Sequence, residues 1–346
     1  MEQITLTQPD DWHLHVRDGE ALQSVIGHTA VQFGRAIIMP NLKPPITTTA
    51  QAAAYYERIK AAAQAAIPGT TFEPLMTLYL TDNTPADEIA RAQASGIVKA
   101  VKLYPAGATT NSDLGVSAIP KTYKALETMQ ALGMPLLIHG EVTDSAVDLF
   151  DREAAFIDRE LIPLRAALPE LKVVFEHITT LEAAQYVASA SGSIAATITA
   201  HHLLYNRNAM FTGGMRPHYY CLPVLKRETH RAALVAAATR GNPRFFLGTD
   251  SAPHASRLKE AASCGAGCYT AHAAIEMYAE VFEAAGALDK LEAFASHNGP
   301  AFYGLPRNVK QVTLAREAWS VPDRYRFGAA DVVPLRAGDN LPWKLL

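Results

Sequence analysis

Eight short β-rich runs, each followed by a longer stretch of helix-forming residues, recur along this chain and constrain its fold more than any other feature. The runs are residues 11–16 (DWHLHV), 35–39 (RAIIM), 72–80 (FEPLMTLYL), 98–104 (VKAVKLY), 134–139 (MPLLIH), 172–177 (KVVFEH), 194–199 (IAATIT) and 244–249 (RFFLGT). Between them lie segments such as TTAQAAAYYERIKAAAQAA, IPKTYKALETMQAL and TLEAAQYVASA, rich in strong helix formers and often opened by Ser, Thr or Asp caps. Eight strand–helix units in 346 residues predict an α/β chain folded as a (β/α)8 TIM-type barrel rather than an open doubly wound sheet. No linker divides the chain, so 1–346 reads as one barrel domain. Its last part, from about 305 to 346, loses the alternation, gathers prolines and charges, and is expected to pack outside the barrel as a tail.

Composition narrows the function classes. With 31 Lys and Arg against 34 Asp and Glu, the formal net charge is −3. That balance leaves no basic field for a phosphate backbone, so nucleic acid is not expected as a partner. The N-terminus MEQITLTQPDD lacks a basic stretch leading into an apolar one, and no window approaches the roughly 18 consecutive apolar residues of a membrane span. A cytoplasmic location follows as the expectation, with no membrane partner. Three cysteines, Cys221, Cys264 and Cys268, are too few for a disulfide framework and fit a reducing compartment. Neither GxGxxG nor GxxxxGK[ST] follows the first strand, which argues against dinucleotide or P-loop chemistry.

In a (β/α)8 barrel the C-terminal strand ends form the active face. Here those ends carry metal-ligand types. On the first strand, alternation puts His13 and His15 on one face and Leu14 on the other. An isolated His-x-His pair is weak evidence. The fifth run, however, closes on His139, the sixth on His177, and Asp250 follows the eighth. Four imidazoles and a carboxylate converging in a barrel mouth suit zinc or a similar first-row ion, and five ligands point to two ions sharing an anionic bridge. Lys102 lies in the closing Val101-Lys102-Leu103-Tyr104 of the fourth strand; facing inward, its ammonium would confront two dications unless the amine were modified or deprotonated.

The blocks PDDWHLHVRDG, MPNLKPP, VKLYPAGATTNS, LLIHGEVTD, VVFEHITT, NRNAMFTGGMRPHYYCLP, FLGTDSAPH and NGPAFYGLP occur in an order that resembles the class II dihydroorotases of the amidohydrolase superfamily, over nearly the whole chain. The resemblance implies a binuclear site with two Zn2+. His13, His15 and Asp250 would hold one ion and His139 and His177 the second, with a carbamylated Lys102 bridging both. It further implies the reversible interconversion of N-carbamoyl-L-aspartate and L-dihydroorotate, a step of de novo pyrimidine biosynthesis. A bridging hydroxide would be the nucleophile and Asp250 the general acid and base. Family members are commonly homodimers.

A substrate carboxylate needs its own partner. If the first strand continues, Arg17 falls on the face of His15, further toward solvent, where a guanidinium can grip a carboxylate. Asn41, closing the second strand, and His254, four residues after Asp250, would complete the grip, and the family pattern assigns these three positions to substrate. The alternatives are an Arg17–Asp18 surface pair, a turn cap at Asn41 and an ordinary loop histidine at His254. The segment PAGATTNSDLG has the composition of a mobile loop, from which Thr109 and Thr110 would donate hydroxyl hydrogen bonds. Family likeness adds the backbone around Ala266.

Cys264 and Cys268, in SCGAGC, read as loop cysteines because no further Cys or His cluster surrounds them in the sequence. Ala200 and His201 replace the Pro-Gln that more often precedes a single histidine in the family, a departure that touches no expected ligand. Within the same chemistry, a hydantoinase or allantoinase would keep the metals and change Arg17, Asn41 and His254. From other classes, a metal-dependent lyase or aldolase would need one ion and a free lysine, and a non-catalytic metal scaffold would not need so many converging polar groups.

Overall fold

In the computed structural model, which describes residues 2–346, a short strand β1 (Gln3–Thr7) precedes eight parallel strands that pair in chain order. These are β2 (Asp10–Leu14), β3 (Arg35–Ile38), β4 (Glu73–Tyr79), β5 (Val98–Leu103), β6 (Leu136–Ile138), β7 (Val173–Phe175), β8 (Ile194–Ile198) and β9 (Phe245–Leu247). Helices connect successive strands on the outside, as βα crossovers require. The second, Thr49–Ala66, opens on a capping box in which Thr48 and Gln51 satisfy each other's backbone N–H groups. The seam between β9 and β2 closes just beyond β9, where Asp250 N–H donates to His13 O at 2.9 Å and His15 N–H to Ser251 O at 3.1 Å. Beneath that seam the buried Asp11 carboxylate accepts from Thr249 N–H at 2.9 Å, Thr249 Oγ1 at 2.6 Å and His13 N–H at 3.1 Å.

Alternating side chains sort the strands into two cores. Ile37, Leu75, Ala100, Leu137, Val174, Ala195 and Phe246 fill the barrel interior around Trp12, and Leu14, Ile38, Val101, Leu136, Val173 and Leu247 face the helices. Trp12 is stacked on Tyr303 at 4.3 Å between ring centroids, which plugs the barrel floor. Trp12 and Leu14 share parity yet face opposite ways, because the β2–β3 register shifts between Asp11 and Leu14. The shift sets His13 above Trp12. Elsewhere parity is simple: Lys102 follows Ala100 by two, and His139 follows Leu137 by two, so both continue the inward rows.

All eight expected strands form, but several are shorter than their sequence runs. β6, β7 and β9 have three residues each. The first strand ends at Leu14, not at 16: after it the chain bonds to the segment beyond β9, and Arg17 turns into the left-handed region at φ 60°. The tail contributes a strand β10 (Gln311–Ala315), antiparallel to β1 on one side and to Lys344–Leu345 on the other, in a sheet separate from the barrel. Pairing between residues some 300 positions apart made β1 invisible to local patterning. No helix among the described residues is long and apolar enough to cross a membrane.

Candidate active site at the barrel mouth

Above the floor, the next inward row is polar. It includes His13, Lys102, His139, Glu176 and Thr197, all buried. The cavity over this row is small, about 20 Å3. Of the residues singled out in the sequence, His13, His15, Arg17, Asn41, Thr109, Thr110, His139, His177, Asp250 and Ala266 line it, together with Tyr104, Leu222, Ala252 and Gly267. Lys102 lies wholly buried alongside, and His254 is reached through Arg17.

Backbone strain concentrates here. Among the described residues only five non-glycines have positive φ, and they include Arg17 (60°), Asn111 (58°), His177 (40°) and Asp250 (44°). A left-handed non-glycine costs on the order of 1–3 kcal/mol and persists where surroundings over-determine it. At His177 and Asp250 it turns the chain at the strand end and aims the side chain across the mouth. Gly140, right after His139, leaves no alternative residue: a Cβ there would lie 1.8 Å from the Phe175 ring.

Neighbouring groups set the tautomers. His13 Nδ1 donates to the Glu176 carboxylate, and His15 Nδ1 donates to Asn41 Oδ1 at 2.9 Å. In its neutral form each ring therefore presents a bare Nε2 lone pair to the cavity. Those two atoms are 3.4 Å apart and lie 3.3 and 3.2 Å from Asp250 Oδ1. Three lone pairs in mutual contact repel unless a cation sits among them. Tetrahedral ligands held at 2.0–2.1 Å from a first-row ion are separated by about 3.4 Å, so this donor set fits such an ion. His13, His177 and Asp250 also bring one ligand atom each within 4.8 Å of the others. His139 approaches from the far side, its ring centroid 4.8 Å from that of His177, and its Nε2 donates to the Glu141 carboxylate at 3.0 Å. His177 Nδ1 and Lys102 Nζ are buried without a hydrogen-bond partner.

Burial shapes the titration of the site. It pushes His15 down to about 4 and lowers His139 and His177 as well, keeping these imidazoles neutral and able to coordinate. Burial alone would raise the Asp250 carboxyl, but the charge on His13 when protonated, hydrogen bonds from the His13 and His15 rings in that state, and the charge of His177 outweigh it and hold it well below the usual range. Burial brings Lys102 down to about 8 against the pull of Glu176 and Asp250.

At the rim, Arg17 reaches the cavity by a route other than the expected one. With the strand already ended, its left-handed turn, fixed by Arg17 Nε–H to Pro253 O at 2.9 Å, carries the guanidinium inward. Its Nη2 lies 3.1 Å from His254 Nε2, which is also 2.8 Å from Ala266 O. Burial and the Arg17 charge push His254 to about 2. Asn41 does more than line the pocket: it orients His15 and donates to Thr110 O at 3.1 Å. The loop bearing Thr109 and Thr110 lies over the cavity, tied by Asn111 Nδ2 to Asn41 O at 2.9 Å and by Thr110 Oγ1 to Ala266 O at 3.4 Å. Sequence reading gave no role to Glu176 or Glu141. The signal was present in their placement beside His177 and two residues after His139. The expectation that no cluster surrounds Cys268 is overturned: His201 and Cys221 come together with it in three dimensions. Cys264 stands apart, and all three cysteines are free.

A polar, donor-lined mouth on an eight-stranded barrel is the architecture of metal-dependent hydrolases, and residues 10–323 match the amidohydrolase family. The chain belongs to that family. Over 344 residues it is 70% identical to the dihydroorotase of Acidovorax sp. (strain JS42), covering 99% of this chain and 98% of that one. The dihydroorotase structure from Campylobacter jejuni superposes with a TM-score of 0.90 at 35% identity, covering 99% of this chain and 97% of that one. The Saccharomyces cerevisiae dihydroorotase, solved in complex with 5-fluoroorotic acid, gives 0.88 at 34% identity, covering 100% and 99%.

Proposed function

We propose that this chain interconverts N-carbamoyl-L-aspartate and L-dihydroorotate, closing or hydrolysing a cyclic amide in de novo pyrimidine biosynthesis, with two Zn2+ at the barrel mouth. The observation that carries the reading is the meeting of His13 Nε2, His15 Nε2 and Asp250 Oδ1 at 3.2–3.4 Å beside a wholly buried Lys102. His13, His15 and Asp250 would hold one ion, His139 and His177 the other, and a carbamylated Lys102 both. When bound, the ions polarise the amide carbonyl and lower the pKa of water toward about 7.

The chain's own groups do the rest. Burial lowers the proton affinity of Lys102, and the neutral amine bonds to CO2 with release of one proton, so that a neutral amine becomes an anion; starting from the ammonium, two protons leave in all. Arg17 meets the substrate carboxylate as a guanidinium already anchored through its Nε, with Asn41 and His254 flanking it. Thr109, Thr110 and the backbone at Ala266 cover the ring. In hydrolysis, water oxygen adds to the ring carbonyl and the ring C–N bond breaks. The Asp250 carboxylate takes the proton from that water and delivers it to the departing nitrogen; in synthesis it takes a proton from the ureido nitrogen. The 5-fluoroorotic acid in the yeast structure supports an acid ligand here. On this reading the chain is one domain over residues 1–346 and a cytoplasmic homodimer.

The test is zinc content and dihydroorotate turnover, with and without Lys102→Ala. The expected result is at least about two zincs per chain and turnover that requires the lysine. One zinc and an undiminished Lys102→Ala variant would overturn the reading.

A further inference from the structure

A second group of metal-ligating side chains lies behind the wall of the cavity, apart from the donors at the mouth. His201, Cys221 and Cys268 are all buried, and one ligand atom from each lies within 4.8 Å of the others. They come from three places: the short helix Ala200–Leu204 that follows β8, the loop after the turn Pro217–Tyr219, and the end of the glycine-rich loop at 264–268.

His201 is the revealing member. Buried polar groups almost always find a partner, yet both of its ring nitrogens are buried without one. Its neighbour His202 shows the ordinary case, with Nδ1 2.7 Å from Thr199 Oγ1 and Nε2 3.0 Å from Pro223 O. Burial pushes His201 down to about 4, so it offers a neutral imidazole at neutral pH. The Cys221 and Cys268 sulfurs lie within 4.8 Å of each other, and their interaction raises the first thiol and lowers the second.

The framework around the sulfurs is already built. The buried Lys259 ammonium donates to the carbonyls of Tyr220 at 2.7 Å, Gly265 at 2.7 Å and Gly267 at 2.8 Å. Tyr220 and Gly267 directly precede the two cysteines, so one cation ties both loops together and favours negative charge on their sulfurs. Ala252 N–H donates to Cys268 O at 2.8 Å, fixing the second loop to the segment after Asp250.

We propose that His201, Cys221 and Cys268 form a third metal site, selective for a soft, thiophilic ion such as Zn2+ and separate from the donors at the barrel mouth. Two thiolates and one neutral imidazole match the donor preference of that ion and leave a fourth tetrahedral position for water. On loading, each cysteine loses its S–H proton to solvent as a sulfur–metal bond forms, and two thiolates balance the dication. Cys221 must also give up its contact with Pro223 O at 3.2 Å. The adjoining Leu222 and Gly267 line the substrate cavity, so the ion clamps that wall from behind.

Cobalt tests this directly, because thiolate–Co2+ ligation gives a near-ultraviolet charge-transfer band that nitrogen and oxygen donors at the mouth do not. The full chain, stripped with a chelator and reloaded with Co2+, is expected to show the band. Cys221→Ser and Cys268→Ser abolish it and each lose about one metal equivalent per chain, His201→Gln weakens it, and Cys264→Ser retains it. No band in the unaltered chain overturns the proposal, as does a band that survives both serine variants or disappears with Cys264→Ser. Should a serine variant fail to fold, the unaltered chain and His201→Gln still decide. The band reports ligation, not turnover, so its absence would leave the proposed reaction standing.

Discussion

At its floor the barrel packs Trp12, Leu137, Val174 and Phe246 against Tyr303, with apolar groups facing one another. One row higher, the same strands present His13, His139 and Glu176, their ends bent into left-handed backbone and several polar atoms left without partners. The floor follows the packing rules that stabilise a fold, except that Trp12 Nε1 and the Tyr303 hydroxyl are buried there without a partner. The mouth breaks them, and it holds its shape because the floor and the Asp11 brace are secure beneath it. Backbone strain is thus concentrated at and over the mouth, where four of the five left-handed non-glycines among the described residues lie.

Mutations on either side of that line should behave oppositely. On the proposed reading Asp250→Asn removes a ligand and the proton carrier, so turnover is expected to fall at least about 1000-fold while the melting temperature holds or rises; steady-state kinetics and calorimetry check both. A strongly lowered melting temperature would erase the distinction. Trp12→Ala, on the floor, is expected to cost about 3–5 kcal/mol in denaturant unfolding, with metal content per folded chain unchanged.

Outside the barrel, Glu276 tests burial without function. Its carboxyl is raised from 4.5 to about 7 by burial. Because the folded acid holds its proton more tightly than the unfolded one, the cost is absent below about pH 4.5, grows between there and 7, and is complete above. Glu276→Gln should therefore stabilise by up to about 3 kcal/mol at pH 8 and by little at pH 4.5, measured by unfolding at both. Glu176→Gln, which weakens the grip on His13 Nδ1, should lower metal affinity about 10–100-fold by chelator competition with little change in melting temperature. Thr110→Val, last and smallest, should raise KM a few-fold and leave kcat nearly intact, about 1 kcal/mol of lost hydrogen bonding.

The barrel was legible because each strand carries its own periodicity, and the mouth because its polar residues cap those strands. Boundaries were less so: β2 stops at Leu14 and not at 16 since the seam partner, Ser251, is distant in sequence. Arg17 was found for the wrong geometric reason, its inward course depending on a left-handed turn that alternation does not encode. β1 needed β10 to exist. The His201, Cys221 and Cys268 group was missed because its members come from three separate loops, none with a spacing motif of its own.

The seam carries one more implication. Thr249 meets Asp11 across 238 positions of chain, and His13 meets Asp250 at the same join. A ribosome that has made the first seven barrel strands has therefore made no working pocket; the corner that brings His13, His15 and Asp250 together comes into being only when the last barrel strand docks on the first. On the proposed reading, capture of an ion there would latch a finished ring, so that catalytic competence waits on ring closure.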